Sequence, residues 1–336
     1  LKNLIYIVAI IALGGKLYAQ DPEFTQFNSV PLYLNPAFTG ATSEHRFGAV
    51  YRNQWPGLEK SFVSYMVSYD YNWSKKNSGL GGFVLQDKAG SSNLIGTQVG
   101  ANYSYVLPLT DGIDIRGGLQ ARYGQRKFQY ANLQFNDQFV TGAATSLDAS
   151  ADAPPIMYFD AGTGVLIESD MFYFGFSANH LNRPNVSLKG GDQPLNVLYS
   201  LHGGYKYALT NGDSPEKDPQ QTIGALFHYR HQGVNDQLDL GVSYFNRMIN
   251  FTVWYRGIPM KTYKPTNTNR ESVAFLIGFE PADKKIKVGY SYDLTISDLG
   301  LANTSGAHEV TVRYELGKKP STGRKARQSI GGSMKF

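Results

Sequence analysis

SFVSYMVSYDYNW, residues Ser61–Trp73, is the stretch that decides the fold. After Phe62 its odd positions are Val63, Tyr65, Val67, Tyr69, Tyr71 and Trp73, and its even positions are Ser64, Met66, Ser68, Asp70 and Asn72. Side chains on a β-strand alternate between faces with period two, so the stretch has one apolar, aromatic-ended face and one mostly polar face. A slip of one residue would turn Asp70 and Asn72 outward, so the same pattern fixes register. Two settings suit such a strand: a soluble sheet half covered by a core, or a membrane barrel with lipid outside and water or polar side chains within.

The pattern recurs along the chain. Before it stands Arg46–Trp55; after it come Gly79–Gln86, Leu94–Leu107, Ile113–Gly124, Tyr158–Ile167, Met171–Asn179, Tyr199–Leu209 and Thr222–Arg230. Gln237–Asn246, Met248–Arg256, Ser272–Glu280, Lys285–Leu294 and His308–Leu316 complete the series. Together they predict an all-β, antiparallel transmembrane barrel of about fourteen strands, an even number and mostly long enough to cross a bilayer when tilted. The charges Asp70, Arg116, Arg122, Asp239, Lys285, Lys287 and Asp293 all fall on the polar faces. A Lys or Arg turned to lipid at mid-bilayer would cost roughly 2–4 kcal/mol. Tyr71, Trp73, Tyr103 and Tyr105 lie near strand ends, where an aromatic girdle belongs.

The links between strands carry a second signal. Ser74–Ser78, Pro108–Gly112, Glu168–Asp170 and Pro281–Lys284 are short, whereas Gln125–Met157, His180–Leu198, Gly257–Glu271 and Thr295–Ala307 are long. Short periplasmic turns against long surface loops is the habit of outer-membrane barrels. An even strand count then returns both termini to the periplasm. Thr210–Gln221 is the exception, a long link on the short side.

Composition agrees. Charged residues are only 18 % of the 336, while 23 Tyr, 19 Phe and 36 Gly favour strands and tight turns. The net charge of +5 is too mild to argue for nucleic acid, and with no cysteine there is neither disulfide nor thiol chemistry. Residues 1–19 read as a signal peptide, with Lys2 before an apolar run from Leu4 to Leu13 and a small residue, Ala19, at its end. Residues 20–45 are irregular, broken by Pro22, Pro31 and Pro36, and are available as a plug in the lumen. Residues 46–316 form the barrel, and 317–336 a basic tail. The tail holds Lys318, Lys319, Arg324, Lys325, Arg327 and Lys335 without an acid. It suits either acidic partners and lipid-associated phosphates or a plain solvated end.

Enzyme signatures fail on inspection. Gly79-Leu80-Gly81-Gly82 is followed by no helix, and Ser177 in GFSAN lacks the nucleophile elbow. His228 and His231 face opposite sides of one strand, which does not suit a shared metal. The sequence thus offers no catalytic, cofactor-binding or metal-ligating residue. The charged inward positions are the candidates that remain: Arg46, Arg52, Asp70, Arg116, Arg122, Asp239, Arg256 and Asp293. They would line a wet pore, contact a partner, pair across the lumen to hold a plug, or stiffen the wall through internal ion pairs.

A series of short pieces resembles the PorP/SprF family of Bacteroidetes outer-membrane proteins. These are Pro31-Leu32-Tyr33-Leu34-Asn35-Pro36-Ala37-Phe38-Thr39-Gly40, Tyr51-Arg52-Asn53-Gln54-Trp55-Pro56, Ser68-Tyr69-Asp70 and Asp87-Lys88-Ala89-Gly90. Gly118-Leu119-Gln120, Trp254-Tyr255-Arg256-Gly257, Gly289-Tyr290-Ser291-Tyr292-Asp293 and His308-Glu309 continue it. Asn136-Asp137-Gln138 departs from the family's Gly-Asp-Gln. The resemblance implies a non-enzymatic outer-membrane barrel of type IX secretion and gliding. Its partners would be secretion-machinery components, outer-membrane lipid and a secreted protein with a type B C-terminal sorting domain. From the charged interior alone, a porin or substrate-specific channel is the competing reading. A soluble periplasmic β-protein is a third.

Overall fold

The computed structural model describes residues 21–59, 61–90, 94–110, 112–128, 136–142, 154–188, 190–209, 221–246, 248–264, 267–281 and 285–317. The expected signal peptide, the tail beyond Gly317, much of the Gln125–Met157 link and nearly all of Thr210–Gln221 lie outside the described residues.

Fourteen strands close into one antiparallel barrel. They are β1 (His45–Gln54), β2 (Phe62–Trp73), β3 (Ser78–Ala89), β4 (Leu94–Pro108), β5 (Ile113–Phe128), β6 (Ile156–Ser169) and β7 (Phe172–Asn179). The second half comprises β8 (Leu198–Ala208), β9 (Gln221–Gln232), β10 (Asn235–Asn246), β11 (Ile249–Lys264), β12 (Asn267–Phe279), β13 (Ile286–Thr295) and β14 (Ala307–Leu316). Each strand pairs with its sequence neighbours, and β1 pairs with β14 to shut the cylinder. Closure gives every strand a neighbour on both sides, which a spanning sheet requires. No helix among the described residues is long and apolar enough to cross a membrane.

Strand parity sorts the side chains as the sequence predicts. Val67, Val99, Leu119, Val165, Val242, Phe275 and Val312 face outward, while Asp70, Gln98, Asn102, Gln120, Asp239 and Thr311 are buried within. Met66 and Val50, apolar residues at inward positions, meet Phe24, Val30, Leu32 and Tyr33. Those four belong to the irregular N-terminal segment, residues 21–44, which fills the lumen. Its Phe27, Leu34, Ala37, Phe38 and Ala41 pack on Leu166, Tyr173, Leu226, Trp254 and Ala274. Pro31 and Pro36 stand at the first positions of two short helices, Pro31–Leu34 and Pro36–Phe38, where a missing N–H costs nothing.

One expectation needs correction. Gly257–Glu271 is not a loop: β11 and β12 continue as a hairpin through a bulge at Gly257, whose φ of +145° favours glycine. Pro259 is tolerated there because register slips between Ile258 and Thr262 and no ladder bond is asked of it. The first and last described segments end at opposite mouths. An even strand count brings His45 and Leu316 to one mouth, called near here, and they are register partners. The lumen segment adds a crossing of its own, so Asp21, the first described residue, lies at the far mouth beside Gln232 and His180.

Candidate functional site

A non-repetitive backbone inside a barrel needs hydrogen-bond partners for each buried amide and carbonyl. The polar faces of the strands supply them. Asn102 Nδ2 and Gln120 Nε2 each donate to Leu32 O at 3.0 Å, Ser177 Oγ to Leu34 O at 2.8 Å, and Ser104 Oγ to Thr39 O at 2.6 Å. Asn35 returns the favour, its Nδ2 donating to Val165 O at 3.1 Å and Phe176 O at 3.2 Å. Its Oδ1 accepts from Ala37 N at 2.9 Å and so caps the second helix.

Glycines let the segment press on the wall. A Cβ on Gly118 would overlap the backbone of Pro36 and Ala37, one on Gly79 the Thr39 carbonyl, and one on Gly164 the Asn35 amide. Toward the near mouth, Gly40 N donates to Asp70 Oδ2 at 2.6 Å. Arg46 holds the same carboxylate in a fork, Nε to Oδ1 at 2.7 Å and Nη2 to Oδ2 at 2.9 Å.

At the far mouth charge takes over. The Glu309 carboxylate accepts from Thr25 N and Gln26 N, both at 2.8 Å. Arg52 bridges Asp293 at 2.8 Å and Glu309 at 3.1 Å, and donates to Thr25 Oγ1 at 2.7 Å. Arg256 reaches Glu23 at 2.8 Å, Asp239 at 3.1 Å and Asp293 at 3.1 Å. His180, just past β7, stands between Asp21 (Nε2, 2.6 Å) and Asp160 (Nδ1, 2.8 Å). Burial alone would lower its pKa, but the ion pair with Asp21 and the hydrogen bonds of both carboxylates outweigh it and push it up to about 9. Beyond these groups opens a vestibule of about 600 Å³, lined by Asp21, Glu23, Trp55, Asp87, Arg230 and Glu271 among others.

All eight inward charges named from the sequence are at most 3 % exposed. Register brings Arg46 opposite Asp70 and Asp239 opposite Arg256, and Arg52 and Asp293 meet through the far network. Arg116 pairs with Glu168. Arg122 faces Asp160 at 3.9 Å and lies over the rings of Tyr33 (5.4 Å) and Phe83 (5.7 Å). These contacts run within the barrel and to the lumen segment. Sequence reasoning missed their partners Glu23, Asp160, Glu168, His180 and Glu309. Glu309 had a signal, since it alternates with outward Val310 and Val312. His228 is buried and His231 half-buried, on opposite faces. Among the described residues no group of three or more His, Cys, Asp or Glu is arranged to hold a metal.

Comparison with known proteins places this architecture. The profile of a family described as "Type IX secretion system membrane protein PorP/SprF" matches residues 16–314. No curated protein sequence matches the chain. Among solved structures, the P. putida toluene transporter TodX aligns with a TM-score of 0.50 at 10 % identity, covering 86 % of this chain and 94 % of that one. The CymD monoaromatic hydrocarbon channel aligns with a TM-score of 0.50 at 12 % identity, covering 86 % and 93 %. Such likeness speaks to the outer-membrane barrel fold alone.

Proposed function

The chain belongs to the PorP/SprF family of type IX secretion system membrane proteins, and on that premise we propose that it is a docking barrel rather than a conduit. In this reading it works without catalysis, as a fixed outer-membrane platform. It receives the type B C-terminal sorting domain of a secreted protein and helps hold that protein at the cell surface. The near mouth, with its short links, faces the periplasm and the secretion machinery, and the far mouth faces outward.

The observation that carries the reading is the filled lumen. Residues 21–44 occupy the bore with their backbone satisfied by the wall, and the inward charges are engaged with one another and with that segment. A barrel so filled presents surfaces rather than a path. Removing residues 129–155, which spares β5 and β6, should leave the barrel inserted while surface display of its partner falls. Unchanged display would remove that link from the proposal.

One observation favours the competing channel reading, the vestibule of about 600 Å³ at the far mouth. Planar bilayers separate the two. A docking barrel is electrically silent until residues 21–44 are deleted, whereas a channel conducts with the segment in place.

A further inference from the structure

The wall is uneven at one place. β7 has eight residues against fourteen for β6, and the two pair only from Thr163 opposite Ala178 to Glu168 opposite Tyr173. From Gly162 outward to Ile156, β6 keeps β5 on one side and has no described strand on the other. The residues after β7 stand there instead. Leu181 N donates to Ala161 O at 3.0 Å. The Asn182 side chain accepts from Ala161 N at 3.1 Å and donates to Phe159 O at 2.7 Å. One amide side chain thus serves two edge groups as a neighbouring strand would.

The chain then turns away from the wall. Val186 and Leu195 pack on lumen-facing Tyr158, so this excursion covers the mouth without extending the sheet. Ala161 and Phe159 direct their backbone groups to the unpaired side, and Met157, of the same parity, does so too. Among the described residues no ladder partner meets Met157 or the Phe159 amide on that side. The side chains of Met157 and Phe159 point outward, each 57 % exposed.

Depth makes the gap informative. Ser169 to Gly162 rises roughly 23 Å along the strand, or about 18 Å normal to the membrane once tilted, short of the apolar band of about 25 Å. The unpaired edge therefore begins at the outer margin of the lipid, where bare backbone is costly. Asn182 covers its first groups and leaves the rest.

We propose that the β6 edge, Met157 to Ala161, is a strand-addition site, filled by an extended segment of the sorting domain that the far mouth receives. The inference rests on the docking reading. What is open here has the shape of a backbone: donors and acceptors every second residue, already imitated by an amide side chain, which neither lipid nor a compact solute matches. The arriving strand takes the Met157 and Phe159 groups into a ladder and displaces Asn182 from Ala161.

The chain has no cysteine, so single cysteines at positions 157, 158, 159 and 160 give clean probes. Each is cross-linked to a purified type B sorting domain carrying single cysteines along its edge strands. Positions 157 and 159 should link, with partner positions two apart, and lumen-facing 158 and 160 should not. Met157→Pro removes one edge N–H while sparing the β5 ladder, made by the even residues, and should weaken capture about tenfold. Asn182→Ala removes the competing side chain and should strengthen it, which decides the matter if Met157→Pro fails to insert. If the unmodified barrel captures the sorting domain but no edge position links, the strand-addition site is wrong and the docking reading stands. No capture at all sinks both. Links to a second copy, or to residues 129–155 of the same chain, overturn the proposed occupant.

Discussion

Asn35–Gly40 and Asp21–Gln26 belong to the same lumen segment, yet the wall holds them by different physics. The first stretch lies against bare glycine at Gly79, Gly118 and Gly164, with the Ser104 hydroxyl on its Thr39 carbonyl and the Asn72 amide on its Gly40 carbonyl. The second lies among ion pairs, Arg52 with Asp293 and Glu309, Arg256 with Glu23, His180 with Asp21, and it borders an open vestibule. Close packing admits no small displacement. Buried ion pairs are costly to desolvate and add little net stability while whole, but they collapse when one member goes. The lumen segment is therefore fixed at its middle and conditional at its far end.

The largest test of that contrast is Arg52→Ala. It leaves Glu309 buried without its arginine and Asp293 with Arg256 alone, and the expected loss is about 3–5 kcal/mol, read by denaturant unfolding in detergent. A cysteine placed at Pro22 should become reactive from the far mouth while one at Thr39 stays protected. Equal exposure of both would erase the distinction between the two stretches. Gly118→Val comes next, at about 1–3 kcal/mol for overpacking. It should displace Pro36 and Ala37 and open both ends of the segment, with ion current rising in planar bilayers.

A smaller effect is set by pH. Because the folded pKa of His180 is raised from 6.5 to about 9, the stability contributed by its link to Asp21 is complete below 6.5 and is lost as pH rises through about 9. Labelling at position 22 should therefore quicken on the alkaline side of that window, and the quickening should vanish in His180→Asn. Labelling at Thr39 should not change. Smallest is Arg46→Lys, which keeps the charge but loses the fork on Asp70, worth about 1 kcal/mol. A loss as large as that of Arg52→Ala would mean that the near mouth too is held by charge.

The barrel was legible because one rule, outward grease and inward polarity at period two, is local to each strand. Ser61–Trp73 states it in full, and Tyr65, Val67 and Tyr69 do face out while Asp70 and Asn72 are buried. The hairpin beyond Arg256 was not legible, since Gly257 and Pro259 read as loop wherever a bulge is unknown. Inward charges could be named one by one, but not paired. Glu309 meets Arg52 only because β14 closes on β1, and Thr25 meets Glu309 across 284 positions of sequence. The course of residues 21–44 was hidden for the same reason: short helices begun by proline say nothing about direction through a bore.

The β1–β14 seam has a consequence for how the molecule is made. β1 follows the lumen segment directly, and its partner β14 is the last of the described strands in chain order. Where Pro36 and Ala37 rest on Gly118 there is no slack for a chain to be drawn through afterwards. The cylinder must be rolled around residues 21–44, as cloth around a spindle. Whatever inserts it in the membrane has to keep the sheet unsealed until residues 307–316 arrive, with residues 21–44 already lying in place.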